Sequence, residues 1–138
     1  MAKKTQRARK PKLSSKATIV STFLSILNVV KLYHWKTYSY SQHKATDGLY
    51  DKLNEHMDSF VEVMLGKDQS RIQFVNTHIP VMDYAKTEDF QKCIQHHRVF
   101  LTDLTYVFDP VNDSDLLNIR DEILGDLNQF LYLMSFTK

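Results

Sequence analysis

The chain has few of the residues that interrupt helices and almost none that cross-link. Three glycines, three prolines and one cysteine occur in 138 residues. So few breakers argue against turn-rich all-β folds, which need turn signals roughly every 8–12 residues. The lone Cys93 excludes an internal disulfide and predicts a reducing compartment. No Gly-rich phosphate loop, Gly-x-Ser-x-Gly elbow or Ser-His-Asp arrangement is present, so nucleotide-binding and serine-hydrolase readings lose their support. There is no internal repeat, and strand signals are weak throughout. What remains is ordinary soluble material, 43% hydrophobic and 25% charged, long enough for one compact domain.

Acids are missing from one place. The first sixteen residues carry Lys3, Lys4, Arg7, Arg9, Lys10, Lys12 and Lys16 and no Asp or Glu. The other 11 basic residues stand against all 16 acids in 17–138, so a +7 tail is attached to a −5 body. A basic, apolar-poor tail is expected to be disordered alone and drawn to polyanions, contacting DNA through phosphates without reading bases. A solvated leader or a localisation signal is the plainer alternative. Residues 1–16 are therefore taken as a tail and 17–138 as one helical domain. The apolar stretch Ala17–Tyr33 mimics a secretion signal, but Ser21, Thr22, Ser25 and Asn28 interrupt it and no cleavage site comes after it. It reads as too polar to span a bilayer, and no membrane partner is expected.

Four helical stripes are visible. The first begins near Ser14 or Ser15 as a cap and runs through Val20, Phe23, Leu24, Leu27 and Val30 to His34. The second covers 43–65 with Leu49, Leu53, Met57, Phe60 and Met64 inward, and Gly66 as its stop. Gly48 inside it costs about 1 kcal/mol relative to Ala, which close approach of another backbone would justify. Residues 67–86 are irregular, with "QSRIQFVN" as a short helix and Pro80 interrupting the segment beyond it. The third helix starts at an N-cap Thr87 and presents Phe90, Ile94, His97, Leu101, Leu104 and Phe108. The fourth starts near Asp113 or Ser114 and presents Leu116, Ile123, Leu127, Phe130, Leu131 and Met134. Two hairpins joined by one long connection predict an all-α, ferritin-like four-helix bundle with a long middle crossover.

The second helix carries ionisable residues in a pattern. His43, Asp47, Asp58 and Glu62 fall in a sector about 100° wide, yet His43 and Glu62 are separated by roughly 28 Å along the axis. One chain cannot bring them to one metal ion. Both pairs, 43 with 62 and 47 with 58, are symmetric about residues 52–53. Two copies packed antiparallel on a two-fold axis would bring His43 to the partner's Glu62 and Asp47 to the partner's Asp58, making two equivalent sites. Carboxylates with imidazole suit iron, manganese or zinc rather than calcium. His34, at the end of the first stripe, adds a second imidazole. The Glu-x-x-His motifs of single-chain di-iron bundles are missing, so no metal is expected at the centre of one bundle.

On "HW" at His34-Trp35, "HKATD" at His43 to Asp47 and "HMDSFVE" at His56 to Glu62, the chain resembles the Dps family of mini-ferritins, specifically over residues 31–65. The resemblance implies a ferroxidase centre across a two-fold dimer interface, with Asp58 and Glu62 of one subunit joining His34, His43 and Asp47 of the other. It implies Fe(II) oxidation with peroxide, dodecameric hollow shells, a lysine-rich tail on DNA, and a cytoplasmic or nucleoid-associated location. The stretch "HWKTYSYSQHKATDGLYDKL" is also similar to an uncharacterised ferritin-like family of large DNA viruses and phages. That resemblance implies instead a virion or DNA-complex protein with vestigial ligands.

Other candidates carry less. Only one of His96 and His97 can face the core, and His97 is expected there. Cys93-x-x-His96 has no partner motif. Trp35, Tyr38 and Tyr40 could intercept oxidising equivalents but more often pack a helix end. His56 points away from the ligand sector and is expected to be structural.

Overall fold

The computed structural model describes residues 16–74 and 78–136. Most of the basic tail and the Ser14 or Ser15 cap lie outside the described residues. Four helices form: α1 Lys16–Lys36, α2 Tyr40–Asp68, α3 Thr87–Asp103 and α4 Ser114–Met134, with a short 3-10 turn Leu104–Tyr106 after α3. No strand occurs among the described residues.

The helix directions come from which residues meet. Lys16 reaches Asp68 and Ser70, while His34 meets His43, so α2 runs back along α1. Tyr33 stacks on Phe90 at 4.0 Å and Phe23 meets Phe100 edge-on at 6.4 Å, so α3 also opposes α1. Lys67 holds Asp115, His56 holds Asp126 and Lys52 holds Gln129, so α4 opposes α2. Each helix thus packs on two antiparallel neighbours, and α2 and α3, which are consecutive, run parallel. The chain between them must return the full length of the bundle. It does so along α1, held by Ser70 near Lys16, the Pro80 carbonyl accepting from Ser25 at 2.7 Å, and Asp83 on Lys36 at 3.1 Å. One long crossover in a four-helix bundle is the connectivity of ferritin-like folds.

The core is built from the expected stripes. Leu49, Leu53, Met57, Phe60 and Met64 of α2 are all buried, as are Phe90, Ile94 and Leu101 of α3 and Leu116, Ile123, Leu127, Phe130 and Met134 of α4. Phe60 is the hinge of an aromatic cluster, edge-on to Phe23 at 5.3 Å and to Phe108 at 5.9 Å. α1 turns more of its surface inward than its stripe predicts. Ile19, Ile26, Val29 and Tyr33 are buried, and Leu24 is the residue left outside. By length and composition α1 does meet the requirements of a membrane span, with mean hydropathy 1.3. Part of that apolar surface is packed in the bundle, where Ile19, Phe23, Ile26, Leu27, Val29, Val30 and Tyr33 are buried.

Several boundaries move. α2 starts three residues before His43, capped by the Ser39 hydroxyl accepting from the Gln42 amide at 3.2 Å. Gly66 does not stop it. The helix ends at Gln69, whose left-handed φ of 56° turns the chain out. Gln69 to Phe74 carries no helix. Thr87 is the first helical residue rather than the cap, and its hydroxyl bonds Tyr33 Oη instead. α3 tightens into the 3-10 turn before reaching Phe108 because Arg120, buried on α4, donates to the Leu101 carbonyl at 2.8 Å and to Thr105 at 2.9 Å. No backbone closes on Gly48: a Cβ there would meet nothing within 4 Å.

Candidate functional site

The α1–α2 corner places the two expected imidazoles together. Thr37 and Ser39 make the link short, so the last turn of α1 lies against the first turn of α2. His34 and His43 stack with ring centroids 3.8 Å apart and planes 16° apart. Their bonds are reciprocal. His34 Nδ1 donates to the His43 carbonyl at 2.8 Å, and His43 Nδ1 donates to the His34 carbonyl at 2.9 Å. A carbonyl only accepts, so each Nδ1 carries a proton, which leaves Nε2 as the atom a metal would take. Buried Thr46 strengthens the corner. Its hydroxyl accepts from His34 Nδ1 at 3.0 Å and lies 2.8 Å from the Gln42 carbonyl. His34 is 8% exposed and His43 half-buried.

The carboxylates do not join them in one chain. Asp47 lies one turn beyond His43 and is exposed, and Asp58 and Glu62 lie farther along the same outer face of α2, with Asp58 exposed and Glu62 at its far end. Among the described residues none of the three has an ion-pair partner. Nor do the described residues contain any group of three or more His, Cys, Asp or Glu side chains able to hold a metal ion. Next to Asp58 runs a mostly apolar groove of about 210 Å³, lined by Val20, Leu24, Leu27, Asn54 and Val61 from α1 and α2. Exposed Leu24 and an open apolar groove beside unpaired Asp58 make this face chemically unlike an ordinary charged surface.

The remaining candidates separate. His97 is turned inward and bonds the Cys93 carbonyl at 2.9 Å, and burial holds its pKa below the ordinary value. Cys93 is buried and burial raises its thiol, which disfavours the thiolate, while His96 is exposed. Trp35, Tyr38 and Tyr40 are exposed rather than packed at the helix end, with Lys31 Nζ 5.7 Å from the Trp35 ring centre. Of the tail residues only Lys16 is described, and it is tied to Asp68 and Ser70; Lys3, Lys4, Arg7, Arg9, Lys10 and Lys12 lie outside. That contact holds the Asp68 carboxyl down to about 2. One cluster is not evident from the sequence: His56 of α2 between Asp126 and Glu122 of α4. Its signal is Asp126, an acid spaced three from Ile123 and four from Phe130 on an apolar stripe.

Comparison with known proteins adds a family without an activity. Residues 34–134 match the model of a family of unknown function, DUF5856, and the chain belongs to that family. No curated protein and no solved structure matches it.

Proposed function

We propose that this protein binds and oxidises Fe(II) as a Dps-like assembly, at a site completed only when two copies pair through α2. Iron is the substrate. Asp58 and Glu62 of one copy would meet His34, His43 and Asp47 of the other, carboxylates favouring the Fe(III) product and imidazole Nε2 atoms completing the donor set. Two Fe(II) ions give one electron each to hydrogen peroxide, whose O–O bond breaks to give water or hydroxide. The observation that carries the reading is the outer face of α2, where Asp47, Asp58 and Glu62 have no ion-pair partner among the described residues and Asp58 borders an apolar groove. The Nδ1 protons of both histidines are already spent on carbonyls, which supports metal-ready rings. The basic tail would hold the assembly near DNA, cytoplasmic or in a virion. Asp58→Ala with Glu62→Ala should abolish iron oxidation while circular dichroism still reports folded helices, because neither side chain is part of the core. Retained oxidation in that double variant refutes the proposal.

One observation favours a second reading, a structural protein of a virus particle or DNA complex. Reciprocal bonds between stacked His34 and His43 also make a complete clasp between α1 and α2, needing no metal. That reading expects metal-free protein from native mass spectrometry with added Fe(II), and tail-dependent DNA or particle association.

A further inference from the structure

A two-fold axis beside residues 52–53 of α2 decides what every side chain on its outer face meets. Asp51 falls against the partner's Asn54, Tyr50 against the partner's Glu55, His43 against the partner's Glu62 and Asp47 against the partner's Asp58. Asp47, Asp51, Asn54, Glu55, Asp58 and Glu62 are all exposed in the single chain. Each acid meets a complementary group except in the last pair. The Asn54 amide donates to a carboxylate, and imidazole suits Glu62. Lys31 of α1 lies 4.2 Å from the Tyr50 ring centre, which brings a cation to the partner's Glu55. Asp47 against the partner's Asp58 sets carboxylate on carboxylate, and symmetry makes that opposition twice.

Position leaves the opposed pair no escape. Asp47 and Asp58 differ by about 20° in azimuth, so each falls about 10° from the line on which the two helices meet. His43 and Glu62 lie about 50° to either side and have room to turn toward water. Packed helices keep their axes about 8–10 Å apart, which crowds side chains on the contact line. Neither Asp47 nor Asp58 has an ion-pair partner among the described residues, and Lys44, one turn before Asp47, makes no ion pair with it. Beside Asp58 lies the apolar groove of Leu24, Leu27 and Val61, which pairing would cover. One face therefore carries a surface that favours association and a like-charge contact that opposes it.

We infer that a divalent cation gates the pairing of copies: α2 meets α2 only when a cation bridges Asp47 to the partner's Asp58, so Fe(II), the substrate, assembles the site that oxidises it. The inference rests on the proposed pairing through α2. Carboxylate donors take Mn(II) as well, so the gate is separable from oxidation.

The test uses the full chain stripped with chelator, its self-association read by sedimentation velocity with and without manganese(II) chloride. Manganese should tighten association of the parent at least tenfold. Asp47→Asn replaces the opposed carboxylates with a carboxamide facing a carboxylate. It should associate at least tenfold more tightly than the parent in chelator and lose most of the manganese dependence. Asp51→Asn removes the same charge one turn away, where no carboxylate stands opposite, and should leave association in chelator within twofold of the parent. No response of the parent to manganese, or equal association of Asp47→Asn and parent in chelator, overturns the gate. So does an equal gain in Asp51→Asn, which would reduce the effect to net charge. Iron oxidation by the same parent separates the two readings. Tight pairing in chelator with oxidation intact removes the gate alone. Manganese-driven pairing in a chain that does not oxidise Fe(II) supports the gate and removes the ferroxidase reading.

Discussion

Gly48→Ala should stabilise the single chain. Gly48 sits inside α2, has no left-handed φ, and a Cβ there meets nothing within 4 Å. Only helix propensity changes, and Ala exceeds Gly by about 1 kcal/mol in a helix interior. With a urea m-value of about 1–3 kcal/mol/M, the midpoint should rise by about 0.3–1 M. For a chain of this size the thermal midpoint should rise by roughly 3–6 °C. Gly125 on α4 is open in the same way and serves as the comparison. Urea melts at low protein concentration measure the single-chain effect, and sedimentation velocity measures self-association. A Gly48→Ala chain no more stable than the parent would refute the claim that Gly48 faces open space. If self-association weakens tenfold with Gly48→Ala but not Gly125→Ala, a second copy's backbone approaches there, and the glycine is kept for the assembly rather than the fold.

Phe60→Ala should cost about 3–5 kcal/mol, read by urea melts, because a fully buried ring touching Phe23 and Phe108 is lost. His97 is held below its ordinary 6.5 by burial, so the unfolded chain takes up the proton first and stability falls as pH drops below about 6.5. Thermal melts at pH 7.5 and 5.5 should show that fall shrinking in His97→Gln; an unchanged pH dependence would refute it. DNA affinity, if all seven basic tail residues contact phosphates, should fall with salt at a log–log slope of about −6. A slope near zero in fluorescence anisotropy removes the tail from DNA binding.

The parts of the fold legible in the sequence are those governed by burial. The α2 stripe is readable because its five core residues fall at helical spacing and no buried polar residue but Thr46 competes with them. α1 misleads at Leu24 because apolar residues surround the whole helix, and the crossover covers part of the side that solvent would otherwise take. Helix ends are less legible. Gly66 offers a stop signal, but Lys67 held to Asp115, and the Lys16 tie to Asp68, extend α2 past it. At the site, spacing singles out His34 and His43, yet their reciprocal carbonyl bonds depend on the short turn at 37–39, which spacing does not encode. The His56 cluster is hidden because its partners are about 70 residues away on α4.

The crossover has a topological consequence. The crossover, residues 69–86, joins one helical hairpin, α1–α2, to the other, α3–α4. Each hairpin presents an apolar face whose complement is the other hairpin. Two separate polypeptides, cut there, carry the same core contacts as the whole chain, so co-expressed halves should reassemble. Two intact chains that exchanged hairpins would satisfy the same faces, so the crossover is the joint at which such an exchange would occur.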